Sequence, residues 1–250
     1  MIHLKTDEEI QIMKDGGARL QKIFQEVESK LKPGMTTKKV DEIAQSIILK
    51  LGGIPSFKRV SGYHDTICIS INDQVVHTPP SSRIILDGDI VTVDIGMFYK
   101  GFNTDKANTY YIGLTSNGRI SQFLDTGRFA LKKGIEKAIS GNYIGDISLE
   151  IEHVIEGAGY HVIHELTGHG VGKILHEDPA IPGFLKGERK GTPQIKAGMT
   201  LAIEVIYAES THEITAEDSQ DWSLVTADGS YSACFEHTIA VLPQSTLILA

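Results

Sequence analysis

Apolar residues recur at helical spacing near the start of the chain. Between Thr6 and Leu31 they fall three, four or seven positions apart, which predicts an amphipathic helix. The helix would begin at a capping box, because Thr6 precedes Glu9 by three positions. A second helical period from Val40 to Leu51 predicts another helix, which Gly52 would end.

The same two-helix pattern returns later in the chain. Apolar spacing predicts helices over Phe123 to Ala138 and over Ile147 to Ala158. Several residues of the first pair recur 107 positions further on: Gly34, Val40, Ile47, Ile48 and Gly52 return as Gly141, Ile147, Val154, Ile155 and Gly159. This offset predicts two related halves. Because no linker rich in Pro, Ser or Gly separates them, we expect one domain over residues 1–250.

Two strand-like runs joined by a turn occupy Val91 to Tyr110. Apolar and polar residues alternate in the first run, which carries Asp94, and the second run carries Asp105. If the turn centres between Tyr99 and Lys100, the two aspartates face each other with Cβ atoms roughly 5 Å apart. Like charges so close raise one pKa strongly unless cations neutralise them. The pattern indicates either a metal site or two surface aspartates near a turn.

The second half of the chain contributes an imidazole and two further acids. His169 stands between two glycines, which would let a metal or a substrate approach the backbone closely. Glu204 and Glu236 each interrupt an otherwise apolar strand-like run, Leu201 to Tyr207 and Ser232 to Val241. Buried acids need partners. Taken singly, each of these residues also fits a structural role, as an acid at a sheet edge or a histidine in the core.

Together these side chains form a set that can hold two divalent cations and leave positions open for water. The set is Asp94, Asp105, His169, Glu204 and Glu236. Its oxygen-rich composition favours Mn²⁺, Fe²⁺ or Co²⁺ over a structural zinc, which prefers thiolates and imidazoles.

Composition and charge restrict the function classes. The chain has 250 residues, is 41% hydrophobic, and carries a formal net charge of −8 with a pI near 5.7. It has no basic run, so we expect no nucleic-acid partner. Cys68 and Cys234 are too few for a disulfide framework, and no signal peptide or stretch of roughly 20 apolar residues is present. We expect a monomeric cytoplasmic protein that does not enter a membrane.

The order of these motifs resembles the type I methionine aminopeptidases of the pita-bread metallopeptidase family. The matching features are two aspartates eleven residues apart, GHGVG at 168–172, IE at 203–204 and EHT at 236–238. The resemblance covers nearly the whole chain. It implies an α/β (α+β) fold in which two pseudo-symmetric halves form a curved antiparallel sheet flanked by helices.

The same resemblance implies two divalent metal ions per chain, which would be Co²⁺, Mn²⁺, Fe²⁺ or Zn²⁺. Asp94 would bind one ion, and Asp105 and Glu236 would bridge both. His169 and Glu204 would complete the coordination of the other.

The activity implied by the resemblance is removal of the N-terminal methionine from nascent proteins with a small second residue. The cations would activate a water molecule, and Glu204 would accept its proton. His176 would stabilise the developing oxyanion, and His77 would contact the scissile amide nitrogen. The implied partners are the N-termini of nascent polypeptides at the ribosome.

By the same resemblance, an apolar pocket would hold the methionine side chain. Its walls would be Phe57, Val60, Tyr63, Cys68, Leu175 and Trp222. Val60 and Leu175 stand where these enzymes usually carry aromatic residues, so we expect a wider and less selective pocket. Thr78 replaces a glycine next to the first catalytic histidine, and Val205 replaces a proline after Glu204.

Two alternatives remain open. The first is a Xaa-Pro dipeptidase, or an aminopeptidase of another specificity, on the same fold; prolidase-like relatives normally carry a separate N-terminal domain. The second is a non-catalytic protein that binds partners through this fold. Such a protein would be expected to lose metal ligands, and here all of them are present.

Overall fold

The computed structural model describes residues 2–114, 118–217 and 222–250. The helices are α1 Asp7–Lys30, α2 Thr37–Lys50, α3 Gly118–Lys137 and α4 Ile144–Gly157. The strands are β1 Ile54–Pro55, β2 Cys68–Ile71, β3 Gln74–Val76, β4 Ile90–Tyr99, β5 Phe102–Tyr111, β6 His161–Val162, β7 Thr167–Gly170, β8 Glu177–Pro182, β9 Thr200–Ala208, β10 Ile214–Ala216, β11 Leu224–Thr226, β12 Ser232–Val241 and β13 Thr246–Ile248. No helix within the described ranges has the length and apolar content needed to cross a bilayer.

Helix α1 begins at the predicted capping box. The Glu9 amide donates to Thr6 Oγ1 at 3.3 Å, and the Thr6 amide donates to Glu9 Oε2 at 3.0 Å. Helix α2 ends just before Gly52, whose φ of 76° favours a residue without a side chain. Helices α3 and α4 begin earlier than the apolar period predicts, because their first turns include polar or small residues that the period does not detect.

The helix pairs α1–α2 and α3–α4 belong to two similar halves, as the recurrence of residues predicts. Gly34 and Gly141 both have positive φ, at 87° and 99°. The Gly34 amide donates to the Ile85 carbonyl at 2.8 Å, and the Gly141 amide donates to the Ile195 carbonyl at 2.9 Å. Each half therefore anchors its second helix to a later segment in the same way.

The sheets repeat the same plan. In the first half β4 pairs with β5, β2 and β1, and in the second half β9 pairs with β12, β7 and β6, all antiparallel. The two sheets meet along β5 and β12 through side-chain hydroxyls. Thr109 Oγ1 donates to the Cys234 carbonyl at 2.8 Å and accepts from its amide at 3.0 Å. Thr238 Oγ1 makes the reciprocal pair with Asp105, at 2.7 Å and 2.8 Å.

The turn between β4 and β5 lies one residue later than the sequence predicted. Tyr99 pairs with Phe102, so the central residues of the turn are Lys100 and Gly101. Both have positive φ, at 47° and 96°, which is the backbone of a two-residue type I′ hairpin.

The prediction that Asp94 and Asp105 lie directly opposite each other is therefore wrong. Asp94 pairs with Ala107, and Asp105 pairs with Gly96, so the two aspartates are diagonal neighbours. Moving the turn centre by one residue changes each pairing by two positions. Because side chains alternate between faces with a period of two, both carboxylates still lie on the same face of the sheet.

The helices pack on one face of these sheets and bury two large apolar clusters. The cluster of the first half lies between α1, α2, β2 and β4, and that of the second half lies between α3, α4, β9 and β12. The opposite faces of the central strands are not covered by these helices, and their side chains line the cavity described below.

Candidate metal centre and substrate pocket

Five strands supply the side chains of the candidate metal centre. Asp94 lies on β4, Asp105 on β5, His169 on β7, Glu204 on β9 and Glu236 on β12. Glu204 and Glu236 are direct cross-strand partners. His169 pairs with a neighbouring position of β9. The central strands of both halves thus bring four carboxylates and one imidazole to one place.

The candidate ligand atoms lie close together. Asp105, His169 and Glu236 each place one donor atom within 4.8 Å of the other two. The Nε2 atom of His169 lies 3.5 Å from Glu204 Oε1. The Nδ1 atom of His169 lies 2.8 Å from the Gly170 carbonyl oxygen, to which its N–H donates a hydrogen bond. Nε2 is therefore left unprotonated and available as a metal ligand.

Burial sets the proton affinities of the cluster. It raises the pKa values of Asp94, Glu204 and Glu236 well above their usual range, and the neighbouring carboxylates raise them further. Burial also raises the pKa of Asp105 to about 7. It lowers the pKa of His169 to about 4, so this imidazole is neutral near pH 7. Without a cation, the protein alone holds these carboxylates unfavourably in their charged form.

The surroundings of two carboxylate oxygens indicate whether the cluster is suited to a metal ion. Asp94 Oδ1 and Glu236 Oε1 are buried and have no hydrogen-bond partner among the described residues. A buried carboxylate oxygen without a partner is costly, and a bound cation would remove that cost. Four carboxylates and one neutral imidazole are donors suited to divalent cations. The residues present therefore fit a divalent metal centre.

One cavity of about 90 Å³ contains the cluster and the predicted pocket. It is lined by Phe57, Val60, Tyr63, Cys68, His77, Asp94, Asp105, His169, Leu175, His176, Glu204, Trp222 and Glu236. Every site residue that the sequence suggested lies on its wall, and their individual roles stay predictions.

Three aromatic rings form the apolar part of this cavity. Phe57 and Tyr63 meet edge to face with ring centroids 6.2 Å apart, and Tyr63 and Trp222 do so at 5.5 Å. The Tyr63 hydroxyl donates to the Ile67 carbonyl at 2.7 Å, so its polar end is already satisfied. The rings thus present apolar surface to a ligand side chain.

Two histidines, His77 and His176, line the same cavity as the candidate metal ligands and the apolar wall. The ring of His176 meets that of His169 edge to face, with centroids 4.5 Å apart. Burial lowers the pKa of His176, and burial together with the nearby His176 lowers the pKa of His77 to about 4. His77 has a φ of 61°, which is uncommon for a residue with a side chain. Both rings are neutral near pH 7 and can donate one hydrogen bond each.

The structure adds a buried hydroxyl network that sequence reasoning missed. Thr78 Oγ1 lies 2.8 Å from Ser223 Oγ and accepts from Ser70 Oγ at 3.1 Å. These bonds fix the residue after His77 and the residue after Trp222 to the same strand, β2. The sequence feature that could have indicated this network is Thr78 itself, a hydroxyl residue at the position where a glycine is usual.

A second support was also missed, because its partners are 172 positions apart in the chain. Lys5 Nζ donates to Glu177 Oε2 at 2.5 Å, and Glu177 Oε1 accepts from the Ile174 amide at 3.1 Å. The lysine side chain is only 2% exposed. This ion pair holds the loop that carries Leu175 and His176.

Known proteins resemble this chain over its full length. The family model described as Metallopeptidase family M24 matches residues 11–243. A methionine aminopeptidase of Clostridium perfringens is 39% identical over 249 residues, covering 100% of this chain and 98% of that protein. Methionine aminopeptidase 1 of Bacillus subtilis is 40% identical over 242 residues, covering 96% of each. The crystal structure of a methionine aminopeptidase from Thermotoga maritima has a TM-score of 0.95 at 38% identity, covering 100% of this chain and 99% of that chain.

Proposed function

The chain belongs to metallopeptidase family M24, and on this premise we propose that it is a metal-dependent aminopeptidase that removes the N-terminal methionine from proteins with a small second residue. The observation that carries the proposal is the position of the acidic cluster. Four carboxylates, two of them buried and two half-buried, open into the same cavity as an apolar pocket of aromatic rings, and two of the four have an unpartnered oxygen among the described residues. A metal-activated water would thus meet the first peptide bond of a chain whose first side chain fills the pocket.

The enzyme uses divalent cations, and we assign two ions to each chain. Asp94, Asp105, His169, Glu204 and Glu236 would hold them. When bound, such ions polarise a carbonyl group and lower the pKa of water from 15.7 to about 7. The oxygen-rich donor set favours Mn²⁺, Fe²⁺ or Co²⁺, and Zn²⁺ is the remaining candidate.

The side chains around the cluster carry the proton transfers and the positioning. Glu204 accepts the proton of the attacking water, because its carboxylate lies among the ligands and borders the open cavity. His176 donates a hydrogen bond to the oxyanion that develops on the substrate carbonyl. His77, which lines the same cavity, contacts the scissile amide nitrogen.

The aromatic pocket selects the first residue of the substrate. Burying one methionine side chain there would contribute about 1.5–3 kcal/mol to binding. The Tyr63 hydroxyl already donates its hydrogen bond to the Ile67 carbonyl, so a ligand need not supply a polar partner for it. An unbranched thioether side chain is therefore compatible with the apolar wall. The substrates are the N-termini of nascent polypeptides at the ribosome. The enzyme acts as a monomer in the cytoplasm.

Peptide hydrolysis distinguishes this function from its relatives on the same fold. Purified protein with added Mn²⁺ should release free methionine from Met-Ala-Ser. It should leave N-acetyl-Met-Ala-Ser uncut, since a blocked amine no longer resembles a free N-terminus. Preferential cleavage of Xaa-Pro dipeptides would instead assign the chain a prolidase activity, and cleavage of none of these peptides would point to a binding protein.

A further inference from the structure

A second and much larger cavity lies behind the metal centre, between helices α1 and α3. Its volume is about 750 Å³. Its floor includes Lys106 and His237, which follow Asp105 and Glu236 on strands β5 and β12. Because successive residues of a strand point to opposite faces, these two side chains leave the sheet away from the metal ligands. No step of the proposed reaction uses this space.

The floor of the cavity holds a buried ammonium group. Lys106 is only 6% exposed, and its Nζ lies 2.8 Å from the Nδ1 atom of His237. The same Nδ1 atom lies 2.5 Å from the Ala250 carbonyl oxygen. One ring nitrogen cannot accept a proton from the ammonium and donate one to the carbonyl at the same time. His237 can therefore accept a hydrogen bond from Lys106 only in the tautomer whose Nδ1 atom carries no proton.

Glu236 is a carboxylate that acts on the charge of Lys106, but the two side chains form no ion pair in the part of the chain that the structure describes. None of the ion pairs there includes Lys106. Glu236 borders the cavity, but its carboxylate belongs to the metal cluster on the other face. An ammonium group taken out of water without an anion is costly. A negatively charged ligand would remove that cost.

The walls above this cation are apolar and aromatic. They include Phe24 of α1, Leu131 and Ile135 of α3, and Phe235 of β12. The Lys106 Nζ lies 5.6 Å from the centroid of the Phe24 ring. The volume falls within the range of about 300–1,000 Å³ that is usual for small-molecule sites. The cavity thus combines apolar walls with a buried cation at its floor.

The charges at the mouth of the cavity do not cancel this character. Arg128 lies over the Phe235 ring at 5.1 Å and adds a second cation. Glu136 is exposed and paired with Lys133 at 2.8 Å, and Glu28 is exposed at the edge. Exposed acids are well solvated and act weakly on a buried charge.

We propose that this cavity is a binding site for an amphipathic monoanion, a small carboxylic acid with an unbranched or aromatic apolar body. The carboxylate would pair with the Lys106 ammonium, and the apolar body would lie along Phe24, Leu131 and Ile135. The site is independent of the peptidase reaction, since its side chains lie on the opposite face of β5 and β12.

Calorimetric titration with octanoate tests the site in the metal-loaded protein. We expect one octanoate per chain, and at least tenfold weaker binding of 1-octanol, which lacks the charge. Lys106→Met should weaken octanoate binding at least tenfold, and Ile135→Trp, which fills the cavity, should abolish it. Lys22→Met is the matched control, because it removes an exposed α1 lysine that lies outside the cavity and forms no ion pair among the described residues, and it should leave binding unchanged.

Three results would overturn the proposal. Undetectable octanoate binding would leave the cavity without a ligand of this class. Equal binding of 1-octanol would show that Lys106 plays no part in recognition. Binding that survives in Ile135→Trp would place octanoate at the metal centre or elsewhere on the surface. The octanol and Ile135→Trp measurements decide the question even if Lys106→Met fails to fold.

Discussion

Glu204 and Glu236 lie directly opposite each other on the paired strands β9 and β12, and both carboxylates face the candidate metal centre. Like charges in direct cross-strand positions destabilise a sheet. The arrangement is therefore unfavourable for the protein alone and becomes favourable when cations lie between the acids. Stability and activity should both depend on the metal.

The stability of the metal-free protein should fall as the pH rises. Burial raises the pKa of Asp105 from 3.8 to about 7, and those of Glu204 and Glu236 are also raised. Between about pH 4 and 7 these carboxyl groups keep their protons in the folded protein but lose them in the unfolded chain. The free energy of unfolding therefore decreases as the pH rises. We expect the melting temperature of chelator-treated protein to drop by several degrees between about pH 6.5 and 7.5.

The pH window separates this effect from that of the histidines. Burial lowers the pKa of His77 and His169 to about 4, so these histidines make the free energy of unfolding rise with pH, mainly between about pH 4 and 6.5, and this opposite effect fades above about pH 6.5 as the unfolded chain loses its imidazole protons. Excess Mn²⁺ should abolish the drop, and Glu204→Gln should reduce it in the metal-free protein because it removes one like charge. A melting temperature that is flat across this window without metal would contradict the electrostatic description of the cluster.

The hydroxyl network at Thr78 should contribute to stability and to the position of His77. Thr78→Val keeps the shape of the side chain but leaves Ser70 and Ser223 without their buried partner. We expect a loss of about 1–3 kcal/mol in the free energy of unfolding, measured by urea titration, and a lower kcat for Met-Ala-Ser. Thr78→Ser retains the hydroxyl and should restore both. Equal behaviour of the two variants would mean that the hydroxyl is unimportant.

The buried ion pair of Lys5 and Glu177 should matter far more than an exposed pair that joins the same two segments. Lys5→Met leaves the largely buried Glu177 carboxylate, whose side chain is 13% exposed, without its ion-pair partner, which should cost about 3–5 kcal/mol in the free energy of unfolding. Lys173→Met breaks the pair with Glu9, in which the lysine is 57% exposed, and should cost less than about 1 kcal/mol.

A double variant tests whether the charge or the packing of Lys5 is responsible. Lys5→Met combined with Glu177→Met removes both charges and should recover most of the lost stability. Because Glu177 adjoins His176, Lys5→Met should also lower kcat more than it changes KM. Equal costs for Lys5→Met and Lys173→Met would show that burial gives this pair no special role.

The pocket should discriminate weakly between unbranched apolar first residues. Val60 and Leu175 pack with Phe57, Tyr63 and Trp222 around the pocket, at positions where type I relatives usually carry rings. An apolar pocket discriminates by only about 1–3 kcal/mol per methylene, so a wider wall should accept leucine and norleucine alongside methionine. Val60→Tyr should raise the kcat/KM ratio of Met-Ala-Ser over Leu-Ala-Ser. If leucine is already rejected as strongly before the substitution, the pocket is not wider.

Some of the candidate ligands could be located from the sequence because they interrupt a local pattern. Glu204 and Glu236 interrupt apolar runs that become β9 and β12, and the recurrence of Gly34 as Gly141 predicted the two halves. The register of the aspartate hairpin was not predictable in the same way. It depends on the positive φ of Lys100, a residue type that does not specify that conformation.

The supports around the site were unpredictable because they join distant parts of the chain. Lys5 and Glu177 are 172 positions apart, and Thr78 and Ser223 are 145 apart. Strand β8 was missed for a local reason, since it contains Pro179 and a proline rarely continues a strand.

Metal titration of peptide hydrolysis tests the role of the cluster most directly. Chelator-treated protein should release no methionine from Met-Ala-Ser, and activity should rise with added Mn²⁺ until about two ions are bound per chain. Glu204→Gln and Asp94→Asn should each lower kcat/KM at least a thousandfold while remaining folded, and Glu213→Gln, an exposed glutamate outside the cavity, should match the wild type. Turnover that persists without metal, or that survives either cluster substitution unchanged, would contradict the assignment of these five side chains as the catalytic metal centre.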